Sequence, residues 1–251
     1  MERLLQREPP YPTNVQLETS ERPAAANRPN FGVLFNNNVN RRATILASVP
    51  WFLQDLGTYG IGIFTPTILA AAIGHKTAHI RNLADLIGND VLAAKGRGAI
   101  DLPLIIGIVC AVLLADKVGR IPLQLFGFIG CGAGLLIASF SVNYTGETQT
   151  VLIFLGFMLF NFMTNLGPNA QTYLLAGEVF PTPIRGMGAG FAAAFAKIGA
   201  VATAFLFPIL LADIGTRALL YILVVTSLIR AALTWRFRVE TTGVNLESVG
   251  R

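Results

Sequence analysis

From residue 43 onward, long, mostly apolar runs with few charges alternate with more polar stretches. The runs cover 43–72, 99–115, 121–141, 151–177, 187–212 and 217–235. A bilayer core of roughly 30 Å takes about 20 residues of helix at ~1.5 Å each, so the pattern predicts an all-α membrane protein of six transmembrane helices. The first run is the longest, and Gly60, Gly62 and Pro66 predict a tilt or local break there. Such breaks survive only where protein or a cavity receives the freed backbone groups. In the longer connection 73–98, LADLIGNDVLAA spaces its apolar residues helically and predicts a segment lying along the membrane surface. The first thirty residues lack an apolar core and are rich in Pro, Asn and charge, which predicts a polar, largely unstructured arm rather than a signal peptide. The expected organisation is an arm over 1–41, a six-helix bundle over 42–236 and a tail over 237–251.

Composition agrees with the pattern, because 53% of residues are hydrophobic and 13% charged, unlike a soluble domain. The net charge of +5 comes from Lys and Arg placed between the apolar runs, which predicts loop orientation and no nucleic-acid partner. With the arm inside, Arg41, Arg42, Lys117, Arg120, Arg185, Arg236 and Arg238 all fall on the cytoplasmic side. Both termini are then cytoplasmic, in a plasma or inner membrane. Lys76, Arg81, Lys95 and Arg97 make the long outer loop a mildly basic exception.

Cys110 and Cys131 lie inside apolar runs, where each acts as a small hydrophobe. His75 and His79 stand four apart with no third ligand beside them, so neither a metal site nor a cofactor is expected. GMGAGF at 186–191 follows no strand and reads as small-residue helix packing rather than a dinucleotide fingerprint. No Ser-His-Asp set, metal cluster or phosphate loop supports an enzyme.

A charge at the bilayer centre costs about 2.5–3.5 kcal/mol on insertion scales, so Asp55 and Lys197 need a reason to be there. Trp51, Asp55 and Tyr59 share one helix face at i, i+4 and i+8. Lys197 is flanked by small residues that let another helix come close, and Asp55 is taken as the only carboxylate deep in any span. Two readings stand: an ion pair that orients two helices, or one that handles substrate or protons. Asn161, Asn165 and Asn169 recur every four residues, with Gly167 and Pro168 loosening the helix between the last two; these amides either bridge helices or coordinate a polar solute. Arg230 reads as an anchor that snorkels to an interface.

Three motifs occur in order. DKVGR followed by IPL at 116–123 resembles the D-x-x-G-R loop of the major facilitator superfamily. GEVFPTPIR at 177–185 resembles the G-E-x-F-P-T-x-x-R ending of the tenth helix in sugar porters and phosphate:proton symporters, and VETTGVNLE at 239–247 resembles the P-E-T-K-G-x-x-L-E tail. The likeness is to helices seven to twelve, the C-terminal half. It implies a small-molecule transporter, with this chain a truncated or split one that needs a missing N-terminal six-helix half, a chain that pairs with itself, or an inert fragment. Trp51, Asp55, Tyr59 and Asn169, with Lys197 nearby, most resemble a site for phosphate taken up with protons, and Asn165 is a weaker carry-over. Asp116, Arg120, Glu178 and Arg185 at the inner helix ends, with Gly119 in the loop motif, are either ordinary topology charges or, as the resemblance implies, a gating cluster that latches the outward-open state. Ile121, Val239, Thr242, Phe195 and Ala196 depart from the family's pattern. A sugar or organic-acid carrier, or a sensor that binds without transport, are the rival functions.

Overall fold

A computed structural model of the chain describes residues 30–74 and 83–244. Among the described residues every regular element is helical. After a short 3-10 turn, Phe31–Phe35, come α1 (Asn38–Gly74), α2 (Leu83–Val118), α3 (Arg120–Phe140), α4 (Gly146–Leu166), α5 (Pro168–Glu178) and α6 (Arg185–Phe237).

Two of these elements resolve into membrane crossings only through their breaks. As a straight rod the 53 residues of α6 would run about 80 Å, far beyond a bilayer core. Gly215, at φ 75° and ψ 169°, turns the chain and leaves two arms, 185–214 and 216–237. A residue with a Cβ rarely accepts that φ, whereas glycine does so without steric penalty. Conversely, α4 and α5 form one crossing bent at Gly167, where Pro168 has no N–H to offer the helix behind it. Ala94–Val118, Arg120–Asn143, Gly146–Glu178 and Thr182–Phe237 are long and apolar enough to span a membrane, the last twice over. With α1, and α6 divided at Gly215, the described residues form the six helical rods expected.

Local expectations are corrected in two places. α1 runs as one helix through Gly60, Gly62 and Pro66, without the local break. LADLIGNDVLAA is helical but forms the first turns of α2 rather than a separate surface segment. His75 and His79 lie outside the described residues.

The bundle packs through two apolar clusters. One gathers Ile61, Ile100, Leu135, Phe157, Phe207 and Leu223; the other gathers Leu34, Leu46, Trp51, Leu175, Phe180 and Ala196. Leu102, Ile105, Val109, Val112 and Leu113 on α2 stay exposed, a stripe that suits acyl chains. Arg230 is also corrected: it does not snorkel but is 1% exposed in the protein interior. Its guanidinium bonds Thr226 O and Ser227 Oγ, lies 5.0 Å over the Phe128 ring and rests beside Gly57. The second arm of α6 turns this residue toward α1 and α3, so inward is the only direction open to it.

Candidate solute-binding site and latch

Close approach of two helices brings the intramembrane charges together. A Cβ on Gly199 would lie 2.5 Å from Phe52 O, so the first arm of α6 meets the α1 backbone directly there. Thr203 reinforces the crossing by donating from Oγ1 to Leu56 O at 3.1 Å. Two residues before Gly199, Lys197 Nζ donates to Asp55 Oδ2 at 2.9 Å and to Tyr59 Oη at 3.1 Å. The ammonium also sits 5.0 Å from the Tyr59 ring centroid. The Asp55 side chain is 6% exposed and that of Lys197 50%, so a buried anion is held by a cation that remains reachable. Trp51, one turn before Asp55 on the same helix face, packs edge-on against Tyr173 at 4.5 Å.

Asn165 and Asn169 form a second group. Asn169 Nδ2 donates to Asn165 Oδ1 at 2.8 Å across the Gly167 bend, which the peptide geometry at Pro168 makes possible. Both line a cavity of about 350 Å³ with Thr58, Arg97, Asn161 and Thr164 and with apolar residues of α2. The predicted residues thus fall into two adjoining sets. Trp51 touching Tyr173, which follows Asn169 by one turn of α5, links them.

One expectation fails here. Asp55 is not the only carboxylate in a span, because Asp101 lies in α2 and accepts from Arg97 Nε at 2.7 Å and from Asn161 Nδ2 at 2.8 Å. Arg97, assigned from sequence to the outer loop, is therefore helical and faces the bundle. The signal was present as opposite charges four residues apart, followed on the same face by Leu104 and Ile108.

At one end of the bundle the loop charges meet. Arg120 Nη1 contacts Asp116 Oδ1 at 2.7 Å and Ala115 O at 2.9 Å, while Nη2 reaches Glu178 Oε1 at 3.4 Å. Gly119, at φ 100°, makes the tight passage from α2 to α3, and a Cβ there would also lie 3.1 Å from Glu240 Oε2. Arg185 donates from Nε to Phe180 O at 3.1 Å in the turn between α5 and α6.

The tail joins this charge cluster, which the sequence alone did not reveal. Glu240 accepts from the backbone N–H groups of Arg120 and Ile121 at 3.1 and 3.2 Å, capping α3 from outside the helix. Thr241 Oγ1 donates to Glu178 Oε2, and Thr242 Oγ1 accepts from Arg120 N at 3.2 Å. Burial pushes the Glu240 carboxyl up, but hydrogen bonds from Thr242 and from three backbone amides outweigh this and hold it below the usual glutamate range.

The described helices thus bring together a charge pair between α1 and the first arm of α6 and a charge cluster at one end of the bundle. The architecture is matched by the proton:xylose symporter bound to 6-bromo-6-deoxy-D-glucose, with TM-score 0.67 and 18% identity over 87% of this chain and 43% of that one. The profile of the sugar (and other) transporter family matches residues 14–251. The chain belongs to this family, whose members are transporters and not enzymes. It is 28% identical to the repressible high-affinity phosphate permease of Neurospora crassa, over 74% of this chain and 32% of the relative. It is 31% identical to an inorganic phosphate transporter of Saccharomyces cerevisiae, over 60% of this chain and 24% of the relative. The chain spans about a third of the length of the curated relatives it matches.

Proposed function

We propose that the chain forms the C-terminal six-helix half of a proton-coupled phosphate symporter and works with an N-terminal six-helix half in a plasma or inner membrane. The contact of Lys197 with both Asp55 and Tyr59 carries this reading. Phosphate monoanion offers both acceptor oxygens and hydroxyl protons, so a selective site needs several donors and one acceptor. Trp51, Tyr59 and Asn169 donate, Asp55 accepts, and the acceptor disfavours sulfate, which has no proton to give at neutral pH. In the empty state Lys197 neutralises Asp55; arrival of a proton or of substrate loosens the pair and frees the helices to rock. The names of the phosphate transporters among the relatives support the choice of substrate.

In this reading 1–41 is a cytoplasmic arm, 42–236 the membrane bundle and 237–251 a cytoplasmic tail. The latch of Asp116, Gly119, Arg120, Glu178 and Arg185 then closes the cytoplasmic side in the outward-open state. The test is phosphate uptake by proteoliposomes holding the chain with an N-terminal half, under an imposed proton gradient. Asp55→Asn abolishes gradient-driven uptake; unchanged uptake by that variant would sink the proposal.

A further inference from the structure

The mechanism above leaves one charged group unused. Arg97 lines the cavity beside Asn161, Asn165 and Asn169, and the structure accounts for only part of its bonding capacity. Its Nε donates to Asp101 and its Nη1 to Ile61 O at 3.3 Å. Among the described residues no hydrogen bond involves Nη2. A guanidinium carries five N–H donors in a rigid fork, so most of them remain for something in the cavity. The Asp101 carboxylate is fixed from the other side by Asn161, whose Nδ2 also donates to Ile100 O at 3.0 Å. Asp101 therefore stays where it is when Arg97 swings.

The rest of the wall is set for an anion. Thr58 contributes a hydroxyl oxygen that is buried without a partner, although the residue lines the cavity. Asn165 and Asn169, joined by their own side-chain hydrogen bond, line the same cavity. Planar bidentate recognition of an oxyanion is the strength of arginine, and Arg97 is the one cation lining this cavity among the described residues. Asp101 balances the charge while the cavity is empty. A partly exposed i,i+4 pair of this kind holds its arginine weakly.

We propose that Arg97 binds an oxyanion of the phosphate class at a second site, between α2 and the Asn165–Asn169 pair, and that Asp101 is the internal counter-ion the anion displaces. The site adjoins the Asp55–Lys197 pair and would hold the solute before or after it reaches that pair. The choice of phosphate rests on the function proposed above; the role of Arg97 rests on the cavity.

The two halves of the pair separate this idea from a structural salt bridge. Binding of phosphate, sulfate and xylose to the purified chain in nanodiscs is measured by calorimetry for the wild type, Arg97→Gln, Arg97→Lys and Asp101→Asn, with melting temperature as the folding control. The expected result is a loss of at least tenfold in phosphate affinity for Arg97→Gln, a smaller loss for Arg97→Lys, and unchanged or tighter binding for Asp101→Asn. Equal losses in Arg97→Gln and Asp101→Asn, or no loss in either, overturn the role of Arg97. Wild type that binds sulfate but not phosphate, still weakened by Arg97→Gln, keeps the Arg97 site and overturns the phosphate reading. Binding of xylose alone, or of none of the three, overturns both.

Discussion

Lys197 reaches Asp55 across 142 residues of sequence, and the contact is asymmetric: the carboxylate is enclosed while half the lysine side chain stays accessible. Removing the cation therefore leaves a buried acceptor without its partner, whereas removing the carboxylate leaves a cation that solvent can reach. Lys197→Gln is expected to lower stability by about 1–3 kcal/mol and Asp55→Asn by less. The double variant loses less than the sum of the two. Denaturant titration in detergent measures all three.

The crossing that makes this contact predicts a contrast between two glycines of the same helical arm. Gly199→Ala drives a methyl into Phe52 O and is expected to cost about 1–3 kcal/mol through overpacking, loosening the Lys197–Asp55 bond with it. Gly190 has open space where its Cβ would go, so Gly190→Ala gains roughly 0.5–1 kcal/mol from helix propensity. Melting temperatures that fall for the first and hold or rise for the second bear this out.

Arg230 provides a test of burial against anchoring. An arginine snorkelling at an interface tolerates truncation within about 0.5 kcal/mol. The buried guanidinium stacked on Phe128 and bonded to Ser227 is expected to cost about 2–5 kcal/mol as Arg230→Ala, through the void it leaves. The same unfolding titration decides between them.

Glu240 makes the latch sensitive to acid. Its carboxyl is held below the ordinary value of 4.5, so the folded chain favours the charged form. The stabilisation is complete above the unfolded pKa and is lost as pH falls through the lowered folded value. Amide exchange at Arg120 and Ile121, corrected for its intrinsic pH dependence, should show strong protection at pH 7 that drops in that acid range. Glu240→Gln should be less protected at pH 7 and lack the acid step. A pH profile identical in the two proteins would show that the cap is idle.

Much of the architecture could be read along the chain because membrane spans announce themselves by length and apolarity. The same rule hid Arg97: starting the second span at residue 99 left the arginine in a loop, although α2 begins at Leu83 and carries it on one face with Asp101. Arg230 was misjudged for a different reason. Sequence places a residue along a helix but not around it relative to its neighbours, and the packing of α6 against α1 and α3 decided its direction. The Asp55–Lys197 pairing was legible because two opposite charges in hydrocarbon have few places to go. The Glu240 cap was not, since a carboxylate closing a helix 120 residues upstream leaves no local pattern.

That cap also orders events in time. The amide of Arg120 leaves the ribosome long before Glu240 is made, so the junction between α2 and α3 stays open throughout synthesis of the last three crossings. The N-terminal amides of α3 thus find their carboxylate only once the chain has been made as far as Glu240, so the third helix is finished by residues of the tail.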